Sequence, residues 1–146
     1  MAQIERWADI TWQGNIQGNG EITQTSSGAL HDLPYTFASR VESPNGKTSP
    51  EELLAAAHGS CYAMFLSNVL AKAGTPAELL TVKATCGLAR GDAGLTVESM
   101  QLDVTGRANG LTEASLQAAA EEAKVGCPIS KAIANNVRIT LNVHLG

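Results

Sequence analysis

Ser49-Pro50-Glu51-Glu52-Leu53-Leu54-Ala55-Ala56-Ala57-His58-Gly59-Ser60-Cys61-Tyr62-Ala63-Met64-Phe65-Leu66 is the stretch from which the rest of the fold is read. Ser49 is a good helix cap, because its hydroxyl can accept from a first-turn N–H. Pro50 suits the first turn, where its missing N–H would have no partner anyway. Glu52 stands three residues after the cap, the spacing of a capping box. The pattern predicts a helix over residues 50–73, stopped near Gly74 with Pro76 beyond it. Its middle is apolar on nearly every face, so it is expected to be buried all round, in a large core or in a subunit interface. A chain of 146 residues has little material with which to surround such a helix, so a homodimer is expected.

Working outward from the helix, the N-terminal side reads as strands. Ile4, Ala8, Ile10 and Trp12 fall on one side of an alternating run, and Gly14, Gly18 and Gly20 punctuate turns. A second strand is expected over 21–25 and a third over 35–40, followed by a loop at 43–47. On the C-terminal side, 79–90 and 95–105 read as a hairpin around Gly91-Asp92-Ala93-Gly94. Thr112 is expected to cap a second helix that ends at Gly126, and Pro128 opens a short third one. Val137, Ile139, Leu141, Val143 and Leu145 alternate with polar residues, the mark of a half-buried final strand. The expected order is βββ-α-ββ-αα-β, an α+β fold in which long helices pack on bent antiparallel sheet, over a single domain spanning 1–146.

The totals narrow the function classes. The chain is 44% hydrophobic and 16% charged, with a net charge of −4. No basic cluster exists, which argues against nucleic acid as a partner. No uninterrupted apolar run reaches the length of a membrane span, and the first residues lack the apolar stretch of a secretory signal. A cytoplasmic protein away from the membrane is the expectation. Cys61, Cys86 and Cys127 are an odd set with no Cys-x-x-Cys pair, which argues against a disulfide framework and against a zinc ribbon.

Individual residues then carry the chemistry. Cys61 lies mid-helix. Cys127 stands between Gly126 and Pro128 at a helix cap, where unpaired backbone N–H groups favour a thiolate. Arg6 and Arg40 are the only arginines ahead of the long helix, and Arg40 is expected to close the third strand. Arg40 needs a counter-charge to hold its fork in place. With Glu52 taken by the capping box, Glu51 is the free candidate. Glu51 lies about 15 Å along the helix axis from Cys61, so it can act there only through an intermediary such as Arg40. Cys86 alternates with its neighbours in a strand and reads as packing. His58 shares a helix face with Cys61, which leaves a thiol–imidazole pair open, and reads mainly as a packed or hydrogen-bonded histidine. His31 and His144 are expected at the surface, and Met64, Phe65 and Phe37 mostly in the core with some lining a pocket.

Tyr35 to Arg40, Ser49-Pro50-Glu51-Glu52-Leu53, Ala56-Ala57-His58-Gly59-Ser60-Cys61-Tyr62-Ala63-Met64 and Ala123-Lys124-Val125-Gly126-Cys127-Pro128-Ile129-Ser130 together resemble the osmotically inducible protein C (OsmC) family of peroxidases. The resemblance covers essentially the whole chain. It implies an OsmC-like α+β fold, an intertwined homodimer, and reduction of organic hydroperoxides and hydrogen peroxide in oxidative and osmotic stress defence. It implies that Cys61 is the peroxidatic cysteine and Cys127 the resolving one. Arg40 matches the family's arginine and Glu51 the glutamate that orients it. The sister organic-hydroperoxide-resistance subgroup carries its arginine in a Gly-Arg-x-Gly turn. Gln13-Gly14-Asn15-Ile16 has none there, which favours the OsmC subgroup proper.

The implied cycle uses no metal, haem or flavin and has no cofactor. Cys61 attacks a hydroperoxide and becomes a sulfenic acid, Cys127 condenses with it, and an external dithiol, of lipoyl type by the resemblance, restores both thiols. A thiol of ordinary pKa near 8.5 is about 3% thiolate at pH 7, so full ionisation adds only about 30-fold. Stabilising the leaving oxygen must supply the rest, and arginine serves both needs. Two other classes remain open from the residues alone. One is a non-catalytic dimer holding a small apolar ligand, which would not need Arg40 and both cysteines. The other is a redox sensor forming the same disulfide without turnover.

Overall fold

The computed structural model describes residues 3–146, and its fold forms two compact units, the first running to Leu53 and the second from Leu54 to Gly146. The first unit is an antiparallel meander of β1 (Ala8–Gln13), β2 (Asn19–Thr25) and β3 (His31–Tyr35), with β2 in the centre. β1 begins later than its apolar alternation suggested, and all of its residues are exposed. Trp12 and Tyr35 flank Gly20 across the sheet, their rings 5.6 Å apart. A side chain at Gly20 would collide with the Tyr35 ring, so only glycine fits there.

The expected third strand over 35–40 is not what forms. The strand ends at Tyr35, and residues Phe37–Val41 make a short helix, α1. Thr36 caps it. The Thr36 hydroxyl accepts from Ser39 N at 3.0 Å, and Ser39 Oγ accepts from Thr36 N at 2.9 Å. This reciprocal pair outweighs the β-propensity of Tyr35, Phe37 and Val41. Arg40 therefore sits in the last turn of a helix and not at a strand end.

α2 (Pro50–Lys72) starts where the sequence placed it. Its capping box is only half made. Ser49 Oγ accepts from Glu52 N at 3.2 Å, but the Glu52 carboxylate turns to the Thr48 hydroxyl at 3.3 Å instead of returning to the cap. Nor is the helix buried all round. His58, Tyr62, Leu66, Val69 and Leu70 form its buried stripe, while Ala56, Ala57, Ser60, Met64 and Ser67 face outward. By length and composition α2 is long and apolar enough to span a membrane, although polar residues interrupt its apolar run. Its stripe is nevertheless consumed by the core of the second unit, the place of a core helix in a globular fold.

That core is built on β4 (Leu79–Gly91), β5 (Gly94–Arg107) and β6 (Arg138–Leu145), with β5 central. β4 and β5 form the expected hairpin about Gly91 and Gly94. β6 pairs with β5 in parallel, against the all-antiparallel expectation. The reason is the connection. α3 (Glu113–Gly126) and α4 (Pro128–Ile133) carry the chain back along the sheet before β6 begins. Met100, Leu102 and Val104 alternate inward from β5 and meet the α2 stripe and Leu116, Ala119, Ala120 and Ala123 of α3. Tyr62 is sealed in this core and donates its hydroxyl to the Ala120 carbonyl at 2.8 Å.

Candidate active site

In the second unit, α2 brings Cys61 to the junction of α3 and α4, where Cys127 closes one helix and opens the next. Cys127 N donates to Ala123 O and Cys127 O accepts from Lys131 N, so the residue is fixed from both sides. The Gly126 end of α3 lies flat against the Phe65 ring, where any Cβ would overlap the ring. This close approach places the residue before Cys127 directly against α2. The two sulfurs, 66 positions apart in the chain, lie 3.3 Å from each other. That is longer than a disulfide bond of about 2.05 Å and short enough for small rotations to close. Cys61 is half-buried and Cys127 fully buried.

The environments of the two thiols differ. Burial pushes the Cys61 thiol up, as do its hydrogen bond and charge interaction with Cys127, against one opposing backbone hydrogen bond at Ile129. Burial also pushes Cys127 up, but there it is outweighed. The Ser130 backbone, Cys61, the Ser130 hydroxyl and the Ile129 backbone favour the thiolate and hold Cys127 below the ordinary thiol range. Negative charge is therefore better accommodated on Cys127 than on Cys61.

His58, on the same face of α2, does not pair with Cys61. It is fully buried and its Nε2 lies 2.7 Å from Ser130 Oγ. Burial lowers its pKa, so the ring is neutral near pH 7. Ser130 is the residue that sequence reading passed over. The signal was present in its spacing, because Ser130 follows Cys127 by three positions, as an N3 residue follows a helix cap.

The first unit holds the other two expected residues, and they meet. Arg40 donates from Nε and Nη2 to Glu51 Oε1 at 2.8 and 2.6 Å. The Glu51 side chain is 10% exposed and that of Arg40 33%, so the pair is partly shielded from screening. Ser39 supports it by donating to the carbonyls of Thr36 and Thr48, tying α1 to the residues that lead into α2. Arg40 and Phe37 line a cavity of about 300 Å³ together with Trp12, Ile16, Tyr35 and Pro50.

The remaining candidates separate from these groups. Cys86 lies in β4 opposite Met100 and packs against the core as a half-buried residue. His31 and His144 are exposed, as expected. Met64 is 69% exposed and, far from being core, lines an open groove with Ala63, Ser67, Leu79 and Leu80.

An α+β scaffold that presents a half-buried thiol against a second, donor-stabilised thiol defines a thiol-based oxidoreductase. Residues 43–142 match the family model described as OsmC-like protein. The chain is 34% identical to peroxiredoxin OsmC of Escherichia coli strain K12 over 142 residues, 97% of each protein, and equally to peroxiredoxin OsmC of Shigella flexneri. Its fold matches an organic hydroperoxide resistance protein of Elizabethkingia anophelis with a TM-score of 0.77 and 24% identity over the full length of both chains. It also matches the organic hydroperoxide resistance protein OhrB of Bacillus subtilis, with a TM-score of 0.73 and 22% identity over 94% of this chain and 97% of that one. The chain belongs to the OsmC-like family, and with it to the cysteine-based peroxidases.

Proposed function

We propose that this protein reduces organic hydroperoxides and hydrogen peroxide by a two-cysteine cycle at Cys61 and Cys127, in oxidative and osmotic stress defence. The observation that carries the reading is the 3.3 Å separation of the two sulfurs. Accessibility supports this division of roles. Cys61 is half-buried and open to a small oxidant, whereas Cys127 is sealed. The Cys61 thiolate attacks one peroxide oxygen, the O–O bond breaks, and the other oxygen leaves as alkoxide or hydroxide and takes up a proton. Cys127 then attacks the Cys61 sulfur, the S–O bond breaks, and water leaves as the disulfide forms. An external dithiol reduces that disulfide by exchange.

In this reading Arg40, held by Glu51, supplies the cation. Burial and Cys127 push the Cys61 thiol up, so a positive charge is needed both to ionise it and to steady the departing oxygen. The resemblance of Arg40 and Glu51 to the family's arginine and glutamate supports that role, and so does their bonded geometry. The family match across 43–142 runs past the boundary at Leu53, which supports one peroxidase domain over 1–146. The reading includes a homodimer, a lipoyl-type dithiol as reductant and a cytoplasmic setting, where a free thiol pair is kept reduced.

A peroxide-consumption assay tests it. Hydrogen peroxide and a bulky aryl hydroperoxide are each supplied with dihydrolipoamide, dithiothreitol or no thiol. The expected result is turnover of both peroxides that depends on a dithiol and vanishes in Cys61→Ser. Consumption without thiol, or none with any dithiol, would overturn the reading.

A further inference from the structure

His58 and Ser130 are polar side chains sealed inside the second unit, 0% and 2% exposed, and the cycle above leaves both unused. They stand 72 positions apart and meet at 2.7 Å. The placement of hydrogens follows from the partners each atom has. His58 Nδ1 is buried with no hydrogen-bond partner among the described residues. A proton on Nδ1 would be an unsatisfied buried donor, which costs more than a bare lone pair. An imidazolium would carry that proton and a desolvated charge as well. The single ring proton therefore belongs on Nε2, donated to Ser130 Oγ. With its oxygen occupied by that donor, the Ser130 hydroxyl proton is free for Cys127, which caps the same short helix three positions earlier and whose thiolate the hydroxyl favours. The result is a line leading from His58 Nε2 through Ser130 Oγ toward Cys127, whose sulfur lies 3.3 Å from Cys61 Sγ.

We propose that this line serves the disulfide-forming step: Ser130 is a catalytic donor that holds the Cys127 sulfur as an aimed thiolate, and His58 is the positioning residue that fixes the Ser130 hydroxyl. The proposal rests on the two-cysteine reading above. In the step, the Cys127 thiolate bonds to the Cys61 sulfur while the S–O bond of the sulfenic acid breaks. The Cys61 sulfur is reduced and the Cys127 sulfur oxidised, and hydroxide leaves to take a proton from solvent. Ser130 releases its hydrogen bond as the sulfur loses its negative charge, so the interaction favours the attacking state and not the product.

The experiment separates the two chemical steps. Reduced protein is mixed with one equivalent of hydrogen peroxide, quenched at intervals, and read by mass spectrometry for Cys61 sulfenic acid and for the Cys61–Cys127 disulfide. Ser130→Ala, which leaves little cavity, is expected to slow disulfide closure about 10- to 100-fold and to accumulate sulfenic acid. His58→Leu should slow closure similarly, and His58→Gln, whose amide N–H reaches a similar distance, should recover most of the loss. A packing role alone would favour leucine over glutamine. A native protein that forms no Cys61–Cys127 disulfide would remove the two-cysteine reading and this proposal with it. If the native protein closes its disulfide and Ser130→Ala keeps pace, or slows oxidation and closure alike, the relay is wrong and the two-cysteine reading stands.

Discussion

Glu51 and Glu52 are neighbours on the first turn of α2, yet their partners differ. Glu51 is turned inward and takes both donors of the Arg40 fork on one oxygen. Glu52 is exposed and its carboxylate accepts from the Thr48 hydroxyl, while its backbone N–H is capped by Ser49. About 100° of rotation around the helix separates them, which is enough to turn Glu51 to Arg40 and leave Glu52 at the surface. Glu51→Ala should free Arg40 and slow second-order oxidation of Cys61 by about 5- to 150-fold. It should also cost about 1–2 kcal/mol of stability, because a part-buried guanidinium loses its carboxylate. Glu52→Ala should cost only about 0.5 kcal/mol, since the reciprocal half of the capping box is absent, and leave oxidation unchanged. Stopped-flow oxidation and denaturant midpoints of the two variants check this, and slower oxidation in Glu52→Ala would refute the division. The residue types announced much of this. Gly126-Cys127-Pro128 marked a fixed thiol, and Glu51 emerged once Glu52 was assigned to the cap. Ser130 did not emerge, because its spacing from Cys127 marks only a helix start, and the buried histidine that gives it a further meaning is brought to it by folding.

At the scale of elements, the contact between Gly126 and Phe65 is one of the links between α2 and the Cys127 turn. A methyl group at Gly126 would overlap the Phe65 ring. Gly126→Ala should therefore cost about 1–3 kcal/mol and shift Cys127 enough to slow disulfide closure. Adding Phe65→Ala should relieve the overlap, and the pair should show clear non-additivity in a double-mutant cycle of denaturation midpoints. Additive effects would mean that the ring does not set the turn. The same scale explains which elements the sequence made legible. α2 was bounded by strong local signals, Ser49-Pro50 before it and Gly74 beyond it. α1 was not, because five residues are too few to show a helical period, and only the Thr36 and Ser39 pair marks it. The parallel direction of β6 was illegible for another reason. Alternation tells which face of a strand is buried but not which neighbour it pairs with or in which sense.

At the scale of the whole molecule, α2 presents a strip of small and apolar residues, Ala56, Ala57, Ser60 and Met64, on its outward side. Val125, beside the Cys127 turn, is 72% exposed. These surfaces support the proposed homodimer, and light scattering at micromolar concentration should give about twice the chain mass of 15.2 kDa. A monomer mass would remove the dimer from the account. The composition of the chain pointed to a partner because it read α2 as apolar all round, whereas one face of the helix is in fact satisfied within its own unit. The central claim concerns which sulfur meets the peroxide, and here access and ionisation pull in opposite directions. Cys61 is the open thiol, but Cys127 is the one held below the ordinary range. Mass spectrometry after one equivalent of peroxide, on native protein, Cys61→Ser and Cys127→Ser, decides between them. The account predicts a Cys61–Cys127 disulfide in the native protein, sulfenic and then sulfinic acid at Cys61 in Cys127→Ser, and no oxidation on the same timescale in Cys61→Ser. Rapid oxidation of Cys127 in Cys61→Ser, with Cys61 inert in Cys127→Ser, would contradict it.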